Sequence, residues 1–317
     1  MRLVGFALAL GALSPLAAQT PEAGPALTPP VQSTLAAGDD GASRMTVPVF
    51  VNGQGPFQFV IDTGADRTVV SKELAEKLAL KKSGTMRVHA MGGAGRADMV
   101  KIDQLRVSNR TMTRLTSAAL PRAYIGADGL LGVDSLKGQR IIMDFKASTM
   151  TLEPSSEPDA FAAATGDVIV VTAKTRLGQL VMVDADANGQ KVWVVVDTGA
   201  QNSVGNRQLR KLMFARDPRT TTKPIEMIDV LGQRTMADYT IVNRLRIGGI
   251  LLGNAAIAFT DAYPFRLFDL HKKPSMLLGM ESLRGFERVS VDFSARKIKF
   301  LLPANAPRVK DQLSLAD

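Results

Sequence analysis

The tetrapeptide Asp62-Thr63-Gly64-Ala65 directly follows the apolar run Phe59-Val60-Ile61, and the same four residues return at 197–200 behind the apolar run 192–196. An apolar run that ends in a glycine-containing turn is typical of a buried strand followed by a tight loop. One copy of such a turn would be structural more often than catalytic. A specified tetrapeptide has a chance frequency of roughly one in 10⁵ per position, so two copies in matching surroundings indicate a duplication.

The two copies share a register that extends well beyond the motif. Asp197 minus Asp62 gives an offset of 135, and the same offset pairs Ser71 with Asn206, which are both candidate helix caps. Later matches keep their order while the offset grows, and they pair residues 105–107 with 245–247, 130–132 with 277–279, and 144–145 with 292–293. The chain is therefore an internal duplication of one domain.

Strand patterns dominate both halves. Val47, Val49 and Val51 alternate with other residues, Asn52-Gly53 forms a turn, and a second apolar strand runs into Asp62. Helical patterns are few and short, which disfavours an α/β fold because such a fold needs crossover helices. Each half is predicted to be a mostly antiparallel β domain with one or two short helices.

The chain divides by composition. Arg2, an apolar stretch over residues 3–13 and a small-residue region ending at Ala18 are typical of a cleaved signal peptide. An uncleaved anchor is the alternative, but the stretch is shorter than the ~20 residues of a spanning helix. The predicted segments are a signal peptide (1–18), a flexible linker (19–44), a first lobe (45–153), a linker (154–166), a second lobe (167–303) and a tail (304–317).

The chain contains no cysteine, which excludes disulfides, cysteine nucleophiles and thiolate metal sites. An exported chain without disulfides fits a bacterial periplasm, so a periplasmic or secreted location is predicted. The formal charge is +9, but Lys and Arg are scattered along the chain. This pattern indicates a solvated basic surface with a bias toward acidic partners and no nucleic-acid site. With only His89 and His271, no metal site is predicted.

The duplicated motif carries a specific chemistry if its two copies meet. Asp62 and Asp197 would then lie side by side, and two carboxyl groups that close share one proton. One carboxylate can accept a proton from water while the other carboxyl donates one to a carbonyl oxygen. The supporting residues are Thr63 and Thr198, whose hydroxyls can bond across the interface, and Gly64 and Gly199, which permit close approach.

These motifs resemble the pepsin–retropepsin clan of aspartyl proteases, most closely bacterial exported members of the retropepsin type. The resemblance covers roughly residues 45–302 and rests on residues 60–66, 129–132, 195–200 and 276–279. It implies an acid-protease fold with two homologous β-barrel-like lobes related by a pseudo-twofold axis. It also implies a six-stranded sheet beneath the lobes, reciprocal hydrogen bonds between the threonines, and β-hairpin flaps over an extended peptide.

The resemblance also implies substrate-binding positions. The flaps are expected near residues 90–95, with Gly92 and Gly93, and near residues 230–233, with Gly232. Asp66 occupies the position that binds the substrate backbone in retroviral enzymes. Gln201 replaces it in the second half, so the two halves are expected to hold the peptide unequally.

Two departures from the family pattern matter. The arginine that retroviral members carry after the later glycine is Val133 here and Met280 in the repeat, which favours a two-lobed monomer over pairing with another chain. Ala65 and Ala200 stand where pepsin-like members often have serine. Without that hydroxyl the carboxylates lose a hydrogen bond, so activity is expected to extend to weakly acidic or neutral pH.

The resulting expectation is an aspartic endopeptidase that needs no metal or organic cofactor and acts on protein or peptide substrates. It is expected not to insert stably into membranes once the signal peptide is removed. The alternative is a catalytically silent peptide-binding module with the same fold. The retention of both aspartates argues against that alternative.

Overall fold

Alternating apolar positions account for the strands that make up most of the chain. The computed structural model describes residues 33–36, 38–39, 44–158, 161, 168–176, 178–187, 190–216, 218–242, 245–247 and 250–303. The predicted signal peptide over 1–18 and the predicted tail over 304–317 lie outside the described residues.

The elements of the first half follow in chain order. They are β1 (Ser33–Ala36), β2 (Gly38–Asp39), β3 (Met45–Val51), β4 (Gln54–Ile61), β5 (Val69–Ser71), α1 (Lys72–Lys77), β6 (Lys82–Ala90), β7 (Gly93–Val107), β8 (Arg110–Leu120), α2 (Arg122–Ile125), β9 (Gly129–Leu131), α3 (Val133–Leu136), β10 (Gln139–Asp144) and β11 (Thr149–Pro154).

The second half repeats this order with small differences. Its elements are β12 (Val168–Arg176), β13 (Gln179–Ala187), β14 (Gln190–Val196), β15 (Ser203–Gly205), α4 (Arg207–Arg216), β16 (Lys223–Ile228), β17 (Arg234–Val242), β18 (Leu245–Ile247), β19 (Ile250–Leu252), β20 (Ala255–Phe259), α5 (Tyr263–Leu267), β21 (Ser275–Leu278), α6 (Met280–Leu283), β22 (Arg288–Asp292) and β23 (Lys297–Leu301).

The first lobe is an eight-stranded sheet in the order β2-β3-β4-β9-β5-β8-β7-β6. An additional pairing of β3 with β7 curls the sheet toward a barrel. Val47, Val49 and Val51 have no exposed surface, as expected for one inward face of a strand with a two-residue period. The helix predicted after Ser71 is present as α1, and the Ser71 hydroxyl accepts a hydrogen bond from Leu74 N.

The second lobe repeats the pairings that surround the motif. β4 pairs in parallel with β9, and β14 pairs in parallel with β21. β5 pairs in parallel with β8, and β15 pairs in parallel with β20. The mostly β fold with two homologous lobes is therefore confirmed.

Six consecutive strands join the lobes in the order β1-β11-β10-β22-β23-β12. β10 and β22 pair antiparallel at the centre of this sheet, so the pseudo-twofold axis lies between them. The strands on either side, β11 and β23, come from the ends of the two halves. This shared sheet is the six-stranded floor that the family resemblance implies.

The predicted flexible linker over residues 19–44 is wrong for its described part. Residues 33–36 form β1 and pair with β11, residues 38–39 pair with β3, and Arg44 is buried. An edge strand is held by backbone hydrogen bonds, which need no apolar periodicity in the sequence. The Pro- and Ala-rich composition therefore concealed it.

The second predicted linker, over residues 154–166, also has an anchored point. Phe161 has no exposed surface and packs in a small cluster with Ile142 and Leu301.

Across the described ranges, every helix is too short or too polar to span a membrane.

Candidate active site

Each motif aspartate is fixed where a buried strand ends. β4 ends at Ile61 and β14 ends at Val196, so both aspartates begin a loop. The backbone N–H of Asp62 donates to the Leu131 carbonyl at 2.9 Å, and that of Asp197 donates to the Leu278 carbonyl at 3.0 Å. The apolar segments that end in Gly132 and Gly279 thus pass directly behind the motif loops and hold them.

Reciprocal hydrogen bonds join the two loops through the threonines. Thr63 N donates to the Thr198 hydroxyl, and Thr198 N donates to the Thr63 hydroxyl, both at 3.1 Å. The Thr63 hydroxyl donates to the Val196 carbonyl at 2.7 Å, and the Thr198 hydroxyl donates to the Ile61 carbonyl at 2.6 Å. Both threonines are only 2% exposed. The network locks the two loops into one rigid unit.

Replacement of Thr198 by Val should destabilise the chain by about 2–4 kcal/mol, since it leaves Thr63 N–H and the Ile61 carbonyl buried without partners. Urea unfolding of both proteins measures this difference. Thr113→Val, at an exposed position of β8, is the matched control and should change stability by less than about 0.5 kcal/mol. Equal stability of Thr198→Val and the wild type would contradict the role of this network.

The carboxyl groups are oriented by backbone donors of their own loops. Oδ1 of Asp62 accepts hydrogen bonds from Gly64 N at 2.9 Å and Ala65 N at 3.0 Å. Oδ1 of Asp197 accepts equivalent bonds from Gly199 N and Ala200 N, both at 3.1 Å. One oxygen of each carboxyl group is therefore committed to the loop, which leaves Oδ2 available for a ligand.

The two carboxyl groups reach across to the opposite loop. A Cβ atom placed on Gly64 would lie 2.6 Å from Oδ1 of Asp197, and one placed on Gly199 would lie 2.2 Å from Cγ of Asp62. No side chain fits at these distances, so glycine is required at both positions. The sequence predicted this close approach, and the structure brings Asp62 and Asp197 together at the interface of the lobes.

Burial changes the protonation of this pair. Burial raises the pKa of Asp62, partly offset by the hydrogen bond from Gly64 N and by the Arg44 guanidinium. Burial, followed by the charge of Asp62, raises the pKa of Asp197 to about 7. At weakly acidic pH the pair therefore holds one proton between two carboxyl groups, which is the state that combined acid and base chemistry requires.

The raised pKa makes stability depend on pH with a definite sign. As pH rises from about 4 to about 7, the unfolded chain loses the Asp197 proton while the folded chain keeps it, so folding becomes less favourable. Asp197→Asn removes this penalty. The variant should match the wild type near pH 4 and exceed it by roughly 2–4 kcal/mol near pH 7. Urea unfolding at both pH values measures the change, and a constant difference would contradict the raised pKa.

Two polar side chains beside the motif were missed by sequence reasoning. Arg44, which is 8% exposed, donates from Nη1 to the Gly199 carbonyl at 3.0 Å. Gln179, which has no exposed surface, donates from Nε2 to the Gly64 carbonyl at 3.3 Å and to Oδ1 of Asp66 at 2.7 Å. Arg44 and Gln179 obey the 135-residue offset, but they differ in type, so a comparison of identical residues does not find them.

The pair of aspartates lies at the base of a cavity of about 610 Å³ between the lobes. Asp66 and Gln201, the predicted substrate-binding residues, both line this cavity. Its wall is largely apolar, and the lining side chains include Met86, Met91, Met99, Tyr124, Leu130, Ile225, Met227, Tyr263 and Leu267. Methionines adapt to varied shapes, so the cavity suits a flexible ligand of mixed sequence.

Two β-hairpins form above the cavity, at the positions expected for the flaps. The first is β6–β7 and the second is β16–β17. Gly92 N in the first turn donates to Oδ2 of Asp229 in the second at 2.9 Å, and Gln233 Nε2 donates to the Ala94 carbonyl at 3.3 Å. Gly92 and Gly232 thus lie in the hairpin turns and Gly93 begins β7, so all three lie where the flaps meet and outside the cavity lining.

The histidine nearest the cavity has a packing role. The His89 ring stacks on Tyr263 with 4.8 Å between centroids, which links the first flap to α5. Tyr263 N also donates to the Met91 carbonyl at 2.9 Å. Within the described part of the chain, no group of three or more His, Cys, Asp or Glu side chains is arranged to hold a metal ion.

Comparison with known proteins agrees with this geometry. The aspartyl protease family matches residues 47–135 and 183–282, one segment in each lobe and together more than half of the chain. Each segment contains one of the two motif aspartates. A comparison with curated proteins finds no match. The chain belongs to the aspartyl protease family, as a retropepsin-like member that carries both copies of the motif.

Proposed function

We propose that the protein is an aspartic endopeptidase that hydrolyses peptide bonds of an extended protein segment. The observation that carries the proposal is the pair of buried carboxyl groups at the base of the cavity, each with Oδ1 bound by its own loop. The family match supports a hydrolase of this class. The rigid threonine network supports the same conclusion, because catalytic groups need a fixed mutual geometry.

The proposed reaction uses one proton and one water molecule. The ionised carboxylate accepts a proton from water as the water oxygen attacks the scissile carbonyl carbon, and the protonated carboxyl donates its proton to the carbonyl oxygen. As the C–N bond of the tetrahedral intermediate breaks, the carboxyl group that took the proton from water donates it to the leaving nitrogen, and the other carboxylate accepts a proton from a hydroxyl of the intermediate. Because the dyad ends with one shared proton, it is ready for the next cycle.

Substrate binding is proposed to occur in an extended conformation beneath the two flaps. An extended peptide presents backbone N–H and C=O groups on both sides, and Asp66 and Gln201 line the cavity on opposite halves of the repeat. The contact between Gly92 and Asp229 holds the flaps together above the cavity. The flaps would have to separate to admit a polypeptide, as lids do in many enzymes.

A peptide-library digest tests the proposed activity. Purified protein without residues 1–18 is incubated with a proteome-derived peptide library at several pH values between 4 and 7.5, and new termini are identified by mass spectrometry. We expect cleavage at internal bonds that stops when a statine-type inhibitor is added. Tight binding of the inhibitor without cleavage of any peptide would instead indicate a silent peptide-binding module.

Export to the periplasm as a monomer is part of the same proposal. Its support is the signal-like composition of residues 1–18 and the presence of both motif copies in one compact unit. Cell fractionation with N-terminal sequencing of the mature protein tests export, and size-exclusion chromatography with light scattering tests the oligomeric state. Recovery of an uncleaved chain in the cytosol, or of a stable dimer, would contradict these points.

A further inference from the structure

The charged side chains of the cavity wall differ in whether they have a hydrogen-bond or ion-pair partner within the protein. Asp66 accepts a hydrogen bond from Gln179, and Asp229 accepts bonds from three backbone N–H groups. Glu226 pairs with Arg234 at 2.6 Å. Apart from the catalytic pair, every carboxylate that lines the cavity in the described residues therefore has a partner within the protein.

Two arginines of the same wall differ from these carboxylates. Arg67 and Arg87 both line the cavity and are both exposed. Neither guanidinium makes a hydrogen bond or ion pair with any of the described residues. An arginine that faces a binding cavity without a partner is suited to a carboxylate from a ligand, which it can bind with two parallel hydrogen bonds.

A chain of contacts places the two arginines at the same end of the cavity. Arg67 follows Asp66, which is bound by Gln179, and Gln179 begins β13 and pairs with Arg176 at the end of β12. At the end of β12, Arg176 donates to the Phe268 carbonyl at 2.8 Å, at the end of α5. The start of α5 stacks on His89 through Tyr263.

Arg87 completes this end of the cavity from the flap side. In a strand, residues two apart share a face, so Arg87 lies on the same face of β6 as His89. That face is the one directed at α5 of the second lobe. The loop after Asp62 thus presents Arg67 from below, and the first flap presents Arg87 from above.

The opposite end of the cavity lacks this charge. At the offset of 135, Arg67 corresponds to Asn202. Arg87 pairs with Arg96, whose counterpart at the offset of 140 is Met236, and Met236 pairs with Glu226. The counterpart of Arg87 is therefore Glu226, whose carboxylate is paired with Arg234. Arg44 is also basic, but its guanidinium is buried and donates to the Gly199 and Ile125 carbonyls. Duplication therefore produced two similar ends, and among the described lining residues only the end with Arg67 and Arg87 carries positive charge without a partner in the protein.

We infer that Arg67 and Arg87 form a subsite for an acidic substrate side chain, so that the protein selects peptides with Asp or Glu on one side of the scissile bond. The inference rests on the proposed peptidase function and adds a substrate class to it. The counterparts Asn202 and Glu226 carry no positive charge, so the other side of the scissile bond lacks this preference. Because the extended substrate is then bound by unequal ends, the same charges fix its direction in the cavity.

A matched peptide series tests the subsite. Fluorogenic peptides that share one cleavage sequence carry Glu, Gln or Lys at each position on either side of the scissile bond. We expect Glu at one or two positions on one side to raise kcat/KM about 10-fold over Gln. Raising NaCl from about 0.05 to about 0.5 M should reduce that advantage, since a half-exposed pair is screened.

Variants assign the preference to the two arginines. Arg67→Gln and Arg87→Gln should each lower kcat/KM for the Glu peptide by about 3- to 10-fold relative to kcat/KM for the Gln peptide. The double variant Arg67→Glu/Arg87→Glu should prefer the Lys peptide. Arg106→Gln, which removes an exposed charge over the Phe50 ring away from the cavity, is the matched control and should behave as wild type.

Equal cleavage of the Glu and Gln peptides by the wild type would overturn the inference, as would a Glu preference that survives in both arginine variants. Peptide binding to Asp62→Asn, measured by fluorescence anisotropy, separates this result from a failure of the peptidase proposal. If the wild type cleaves no peptide, the peptidase function fails. The Glu preference in binding still decides whether the subsite exists.

Discussion

Asp62→Asn and Asp197→Asn should each lose at least about 1,000-fold in kcat while remaining folded. Each substitution keeps an oxygen that can accept the two backbone N–H groups of its loop, so the geometry of the site survives. The amide can neither ionise nor donate an acidic proton, so either the base or the acid of the reaction is lost. General acid and base groups each contribute about 10²–10⁴-fold, and in the proposed reaction the two aspartates act as one unit.

Kinetics on one cleaved peptide, with circular dichroism to verify folding, measures this loss. Asp103→Asn is the matched control because Asp103 is exposed on β7 and lies outside the cavity lining. This variant should retain wild-type kcat and KM. If either single Asn variant kept activity within about 10-fold of wild type, the two aspartates would not form a shared dyad.

Gly199→Ala is expected to have the next largest effect. Its Cβ would meet Cγ of Asp62 at 2.2 Å and both carboxylate oxygens at 2.4 Å or less, so the Asp62 carboxyl has to leave its position. The carboxyl would then lose its alignment with Asp197, and a misplacement of about 1 Å costs on the order of 100-fold in rate. The clash also destabilises a close-packed interface, by roughly 1–3 kcal/mol.

The equivalent substitution in the first half and a matched control make this test specific. Gly64→Ala should behave alike, since its Cβ would meet Oδ1 of Asp197 at 2.6 Å. At Gly253 an added Cβ meets nothing within 4 Å, so Gly253→Ala should leave both kcat and stability near wild type. Measurements of kcat and urea unfolding on the three variants decide the point. Normal kcat in Gly199→Ala would show that the carboxyl groups do not lie as described.

Much of the fold can be predicted from the sequence because the duplication repeats the same residue types at equivalent positions of both halves. Asp62 and Asp197, with their threonines and glycines, are identical in type at one offset, so a simple comparison reveals them. The apolar segments that end in Gly132 and Gly279 are found in the same way. Their glycines are required because a Cβ would lie 2.4 Å from the backbone of Arg67 and 2.5 Å from that of Asn202, each in the motif loop of the same lobe.

Other parts of the site did not follow from the sequence because the two halves have diverged there. Arg44 and Gln179 occupy equivalent places and donate to equivalent carbonyls, but they share no side-chain chemistry beyond an N–H donor. β1 was hidden because its position is set by backbone pairing with β11. Extending the offset backward does give a usable signal, since Ser33 then aligns with Val168 at the start of β12.

Contacts between the flaps were beyond sequence reasoning for a different reason. The glycines predicted the hairpin turns, but the carboxylate of Asp229 is bonded to three backbone N–H groups from two hairpins that are far apart in the chain. No local pattern encodes that convergence. It arises only once both lobes have folded against the shared sheet.

Active-site titration with a statine-type inhibitor tests the central claim most directly. The inhibitor carries a hydroxyl where the substrate has its scissile carbonyl, so it can bond to both carboxyl groups at once. If Asp62 and Asp197 of one chain form one dyad, peptidase activity should fall linearly to zero at one inhibitor per chain. A requirement for two inhibitors per chain would mean that the aspartates act separately, and activity that persists at excess inhibitor would contradict aspartic catalysis.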